Sequence, residues 1–122
     1  MEKLNQAQRA LATLTAILHE PVTVIVRDAA IQRFEYTSEA VWKAAQWYLK
    51  TAHGVVEGSP RGCYKRLFQL GTVDAELAAA LQAVVDDRNL TAHTYVEDIA
   101  QTVFERLPQH TRTFTLLLSH LT

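Results

Sequence analysis

From Arg27 onward, apolar positions return at steps of three and four residues: Ala30, Phe34, Thr37, Val41, Ala45, Tyr48 and Ala52. That spacing is one face of an α-helix, held for more than three heptads. Gly54 follows as a C-terminal cap, and some 28 residues at about 1.5 Å each give a helix of roughly 42 Å. A shorter stripe precedes it, Leu4, Ala7, Leu11, Leu14 and Leu18, and predicts a first helix over about 3–19 that ends near Pro21. Between the two lies Val22-Thr23-Val24-Ile25-Val26, which propensity alone reads as a strand. No second strand-like run exists to pair with it, and an isolated strand leaves its backbone groups unsatisfied, so a sheet is rejected.

Helical punctuation continues downstream. Ser59-Pro60 is a cap followed by proline at the first helical position. Tyr64, Leu67, Phe68 and Leu70 then mark a third helix that stops at Gly71. Asp74 caps a fourth, with Glu76 in its first turn and a buried stripe of Leu77, Ala80, Leu81, Val84 and Val85. Thr94, Tyr95 and Val96 are poorer helix formers and predict a bend or break. A fifth helix is expected over about 97–107, stopped by Pro108, before a last helical segment carrying Phe114, Leu117, Leu118 and Leu121. The expected fold is all-α: one domain over 1–122, an antiparallel up-and-down bundle of about five helices.

Composition narrows the function classes. Twelve Lys and Arg against thirteen Asp and Glu leave a net charge of -1, so no global basic field draws in nucleic acid, and RNA binding would rest on a local patch. Cys63 stands alone, which removes an internal disulfide and a Cys-based zinc site and fits a reducing compartment. No apolar run approaches the roughly 20 residues of a membrane span, and the first residues lead into no signal-peptide h-region. The expected location is the cytoplasm.

Chemistry concentrates in one octet, Arg88-Asn89-Leu90-Thr91-Ala92-His93-Thr94-Tyr95. On an ideal helix Leu77, Leu81, Val84, Arg88, Thr91 and Tyr95 share a face, so Arg88 continues an apolar stripe. A guanidinium there must snorkel, pair with a carboxylate, or meet an anion or a partner subunit. Asn89 and His93 are four apart, so the amide is placed to orient the imidazole. Arg88 and His93 are about 140° apart around an ideal helix, and two protomers about a twofold axis would bring them to one phosphate more easily than one. The plainer reading is a helix end whose His and Arg complement the C-terminal dipole, with Tyr95 as core filler.

The octet resembles the Arg-x4-His-x-Tyr motif of the HEPN superfamily. Arg33-Phe34-Glu35-Tyr36-Thr37, followed by Trp42-Lys43, is similar to the second-helix signature of its HepT-like branch, the nucleotidyltransferase substrate-binding proteins. The resemblance spans about residues 4–107; Ser38 departs from it, standing where a larger apolar residue is expected. It implies a dimerising bundle that partners a minimal nucleotidyltransferase (MNT) and, in toxin members, a metal-independent endoribonuclease. His93 would then be general base or acid for attack of the RNA 2′-hydroxyl on the adjacent phosphate, Arg88 would stabilise charge at phosphorus, and Asn89 would hold the imidazole or a phosphate oxygen. Tyr95 would receive AMP from the MNT partner, or simply pack at the dimer interface. No cofactor, metal or DNA is implied.

Other groups are weaker. Arg61, Lys65 and Arg66 form a basic cluster on the third helix that would contact RNA phosphates or be an ordinary solvated face. Glu35 and Glu39, with Lys43, read as surface charge spacing. Two functions stand: a ribonuclease toxin of a HEPN–MNT pair, or a non-catalytic substrate-binding subunit of a two-component nucleotidyltransferase.

Overall fold

Three helices begin where the sequence supplies a side-chain cap. Thr23, Ser59 and Asp74 lie in extended backbone and accept hydrogen bonds from the amides of Val26 (3.1 Å), Gly62 (3.0 Å) and Leu77 (2.8 Å). Each satisfies one of the amides that a first turn leaves without a partner. In the computed structural model, which describes residues 2–122, they open α2 (Val24–His53), α3 (Pro60–Gln69) and α4 (Ala75–Leu90). The remaining helices are α1 (Glu2–Ile17) and α5 (Glu97–His120), with one 3-10 turn, Thr91–His93, after α4. The fold is all-α, and the described residues contain no strand.

Residues Val24 to Val26, β-branched by type, form the first turn of α2. The Thr23 cap and the packing of the stripe that follows override their intrinsic preference. Gly54 ends α2 at φ +68°, a left-handed conformation open to glycine at little cost, and its amide reaches back to the carbonyls of Leu49 and Lys50.

Helix α2 packs against all four other helices, α5 closes on α1, α2 and α4, and α3 lies against α2 and α4. Leu14, Phe34, Val41, Leu81, Leu107 and Phe114 are among the side chains sealed inside. Phe68 and Leu70, which mark the third helix in the sequence, are 46% and 40% exposed. That helix is short and buries its Cys63, Tyr64 and Leu67 edge, leaving the turn before Gly71 at the surface.

A carboxylate–imidazole pair is buried among the apolar side chains. Asp87 of α4 (3% exposed) accepts from His110 Nε2 at 2.6 Å and from Arg106 Nη1 at 2.7 Å, both on α5. His110, 4% exposed, stacks on Phe34 of α2 with ring centroids 5.2 Å apart. The network therefore joins three helices at one point.

The clearest correction concerns Pro108. The fifth helix does not stop there but runs from Glu97 to His120 with the proline inside it. Proline has no amide for the carbonyl of Phe104, four residues back, and usually breaks a helix interior. Here its position is exposed, so water can reach that carbonyl, while Leu107, His110, Phe114 and Leu117 continue a single buried face across it. Packing outweighs the local penalty. Pro108→Ala should therefore raise stability by about 1–3 kcal/mol, measured as a higher urea midpoint at unchanged m-value. An unchanged or lower midpoint would show that the proline carries no cost at this position.

Candidate active site

The site begins where α4 tightens. Arg88 and Asn89 belong to its last turn, and the backbone then narrows to a 3-10 turn over Thr91–His93. Thr91, 6% exposed, anchors the change: its hydroxyl accepts from Arg88 Nη1 at 2.8 Å, and its own proton is shared between the Arg88 carbonyl (2.6 Å) and Glu35 Oε2 (3.2 Å). Arg88 Nη1 also lies 3.4 Å from Glu35 Oε2 on α2. Arg88 thus ends half-buried against a carboxylate, one of the outcomes its place on an apolar stripe allowed.

Beyond Thr91 the ideal-helix face fails. A 3-10 turn has three residues per turn, so Tyr95 is carried off the stripe and into solvent, 83% exposed. The prediction that it shares the buried face with Leu81 and Val84, and the core-filler reading, are both overturned. His93 is exposed as well, and its ring meets Tyr95 edge-on with centroids 6.1 Å apart. Asn89 is exposed beside Arg88, and among the described residues no hydrogen bond joins its amide to His93. Within one chain the octet therefore forms two units, Arg88 with Thr91 and Glu35, and His93 with Tyr95.

The segment after the octet is pinned from α2. Arg27, with a side chain only 7% exposed, forks onto the Glu97 carboxylate at 2.5 and 3.2 Å and reaches Asp28 at 3.2 Å. Hydrogen bonding to Glu97 raises the Arg27 pKa above its ordinary value, and the same bonds hold the Glu97 carboxyl below the usual range. This clamp sits two residues past Tyr95.

A model of the family described as "Nucleotidyltransferase substrate binding protein like" matches residues 2–122. The chain belongs to that HepT-like family. A crystallised protein from Thermus thermophilus is 44% identical, with 94% of this chain and 98% of that one covered at a TM-score of 0.90. A toxin–antitoxin structure with AMP-PNP aligns over 99% of this chain and 95% of its own at 17% identity and TM-score 0.81. A mutant of the toxin–antitoxin MntA-HpeT aligns over 98% and 93% at 18% identity and TM-score 0.81. These two likenesses establish the fold. No curated protein matches the chain.

In this HepT-like chain the third-helix basic cluster does not form an open patch. Arg61 binds Asp86 (2.5 Å) and Gln82 (3.0 Å), and Arg66 binds Glu57 (3.0 Å), which leaves Lys65 exposed on its own. A depression of about 650 Å³ lies between α1 and the end of α5 against Leu11, Ala16, His19 and Leu118, and shares no residue with the octet. Burial pushes the Cys63 thiol up to about 11, so it stays a neutral core group. Among the described residues no cluster of His, Cys, Asp or Glu is placed to hold a metal ion, and no helix is long and apolar enough to cross a membrane. Sequence reasoning passed over Glu35 as surface charge; the signal for it was the need of Arg88 for a counter-charge.

The Arg27–Glu97 clamp has a definite pH dependence. A carboxyl whose pKa is lowered by folding stabilises the fold above its unfolded pKa and loses that contribution as pH falls through the folded one. Glu97→Gln should melt below the wild type near neutral pH, with the gap closing as pH drops through the carboxylate range. A gap of constant size from about pH 7 to about pH 3 would show that the charge is not what the clamp uses.

Proposed function

We propose that the protein is a metal-independent endoribonuclease of the HEPN toxin type. It acts as a homodimer and is silenced by an MNT-type nucleotidyltransferase that attaches AMP to Tyr95. The observation that carries this reading is the division of the octet into a half-exposed guanidinium backed by Glu35 and an exposed imidazole beside an exposed phenol. Arg88 uses Nη1 on Thr91 and Glu35, and its other N–H groups remain to meet a phosphate.

His93 takes the proton of an RNA 2′-hydroxyl, and that oxygen attacks the adjacent phosphorus as the bond to the 5′-oxygen breaks. The leaving oxygen takes up a proton from an imidazolium, and a 2′,3′-cyclic phosphate and a 5′-hydroxyl result. Arg88 places its donor fork against the charge that builds on the phosphoryl oxygens. Asn89, exposed beside Arg88 and not bonded to His93, fits the phosphate-binding role better than the orienting one. Imidazole titrates close enough to neutrality to give and take protons at cellular pH.

Dimerisation would bring the two units of the octet together across a twofold axis. In support, the helix end that Arg27 pins beside Tyr95 presents Val24 (62%) and Ile25 (82%) to solvent, apolar surface of the kind that subunits cover. Tyr95 itself is open to a modifying enzyme. An AMP group on its hydroxyl would lay a phosphate charge and a bulky nucleoside next to His93 and block the approach of RNA.

The alternative, a non-catalytic partner that presents substrate to a nucleotidyltransferase, draws on the pairing of Arg61 and Arg66 with carboxylates and on the net charge of -1. Purified protein incubated with RNA in EDTA decides between them. The ribonuclease reading expects cleavage with cyclic-phosphate ends, reduced about 10²–10⁴-fold in His93→Ala and comparably in Arg88→Ala. No cleavage by unmodified wild type supports the partner module. After co-expression with an MNT-type enzyme, AMP should appear on the Tyr95 peptide and be absent in Tyr95→Phe; AMP on another residue would overturn that assignment.

A further inference from the structure

Behind Arg88 lies a small cleft that neither the chemistry above nor the core accounts for. It has a volume of about 50 Å³ between α2, α3 and α4, and its lining includes Ser38, Glu39, Trp42, Tyr64, Arg88 and Asn89. A cavity of this size exceeds the roughly 10–15 Å³ that a single water requires and admits the edge of a ring, not a whole one. Ser38 is 5% exposed, and its hydroxyl has no hydrogen-bond partner among the described residues. A buried hydroxyl left in that state is costly to the fold, and alanine would avoid the cost. A small polar residue that lines a cleft and has an unpartnered hydroxyl marks a place for a ligand.

The other walls define the ligand's chemistry. Trp42 offers ring surface, and Tyr64, only 1% exposed, backs the cleft without offering a face. Glu39 is held in place by the Trp42 indole N–H at 2.9 Å, and a carboxylate accepts and does not donate. Ser38 can donate or accept, and the Asn89 amide can do both. A flat ring whose edge carries an amino group beside an acceptor matches this set: N–H to Glu39, acceptor to Ser38 or Asn89. With Arg88 on the same rim, a phosphate joined to that ring would fall against the guanidinium.

We propose that the cleft is a base-recognition pocket that takes the Watson–Crick edge of one nucleobase adjoining the phosphate held by Arg88, and prefers cytosine to uracil. Cytosine presents an exocyclic amino group where uracil presents a carbonyl oxygen, so uracil sets an acceptor against Glu39. The two rings are matched in size and stacking, which isolates the edge chemistry. As a binding site on an RNA chain the pocket rests on the ribonuclease reading; as a base pocket it does not.

The test uses full-length protein carrying His93→Ala to prevent cleavage, with oligocytidylate and oligouridylate pentamers and with free CMP and UMP, read by tryptophan fluorescence. Oligocytidylate should bind about tenfold tighter than oligouridylate. Ser38→Val, which fills the cleft, and Glu39→Gln, which can donate to a carbonyl, should each bring the two pentamers to within about twofold of one another. Ser38→Ala should weaken only the cytidylate complex, by about three- to tenfold, while melting at or above the parent protein. Pentamers that bind with no preference overturn the pocket and leave the ribonuclease reading standing. A preference shown by CMP over UMP, with no binding of either pentamer, upholds the pocket as a free-nucleotide site and removes the ribonuclease reading. A preference that survives Ser38→Val overturns the assignment of the cleft.

Discussion

Asp87 is the carboxylate on which the geometry of the site depends. Removing a charge of that kind from water costs several kcal/mol, and the cost is offset only by well-placed partners. His110 and Arg106 supply them from the next helix, and Phe34 stacks on the imidazole from a third. None of these side chains can slide along its neighbours without leaving a buried charge unpaired, so the register of α2, α4 and α5 is fixed at this point. The next residue along two of those helices is a charged group of the candidate site. Glu35 follows Phe34, and Arg88 follows Asp87. Successive helical residues diverge by about 100°, so while Phe34 and Asp87 meet His110 in the interior, Glu35 and Arg88 meet one another at the edge. The core contact and the site contact are one arrangement seen from two sides.

The second determinant is the change of helical pitch at Thr91. Had α4 continued as an α-helix, Tyr95 would have followed Arg88 and Thr91 onto the buried face. The 3-10 turn instead delivers His93 and Tyr95 to solvent, and Thr91 holds the transition through bonds to Arg88 and Glu35. Helix α5 then begins at Glu97 without any side-chain cap at Val96. Its start is held by charge: Glu97 and Asp98 lie in the first turn, where the helix dipole favours anions, and Arg27 grips Glu97 from across the bundle. Electrostatics substitute for a cap because the residues in front of the helix are Tyr95 and Val96, which cannot serve as one.

Much of this was legible in the sequence wherever the determinant was local. The Thr23, Ser59 and Asp74 caps, the Gly54 stop and the three-and-four spacing of α2 act over a few residues, and the helices follow them. The octet marked its own polar cluster, and the need of Arg88 for a counter-charge was readable from its place on an apolar face. What failed depended on tertiary context. Pro108 looked like a terminator because the buried face that carries α5 through it is defined by α2 and α4. Tyr95 looked buried because the change of pitch depends on Thr91 reaching Glu35, 56 residues away in sequence. His110 and Asp87, 23 residues apart on different helices, have no spacing that a linear pattern could expose.

The cations of this near-neutral chain show how a site can be prepared without a basic field. Arg61, Arg66 and Arg88 each face a carboxylate at the surface, with guanidinium side chains 50%, 43% and 41% exposed. Exposed pairs of this kind contribute only about 0–1 kcal/mol, so the carboxylate restrains the side chain without locking it. A phosphate can compete for such a guanidinium, because charge-assisted, bidentate contacts to phosphate are among the stronger hydrogen bonds a protein makes. Arg27 is different: it is buried, and taking Glu97 from it would leave its guanidinium with Asp28 as its one remaining carboxylate partner among the described residues. Burial therefore sorts the arginines by what they can do, with Arg27 held for structure and Arg88 left free to exchange its partner. Of the exchangeable ones, only Arg88 lies in the octet that also carries an imidazole, so the candidate site is marked by the joint placement of two groups and not by charge density.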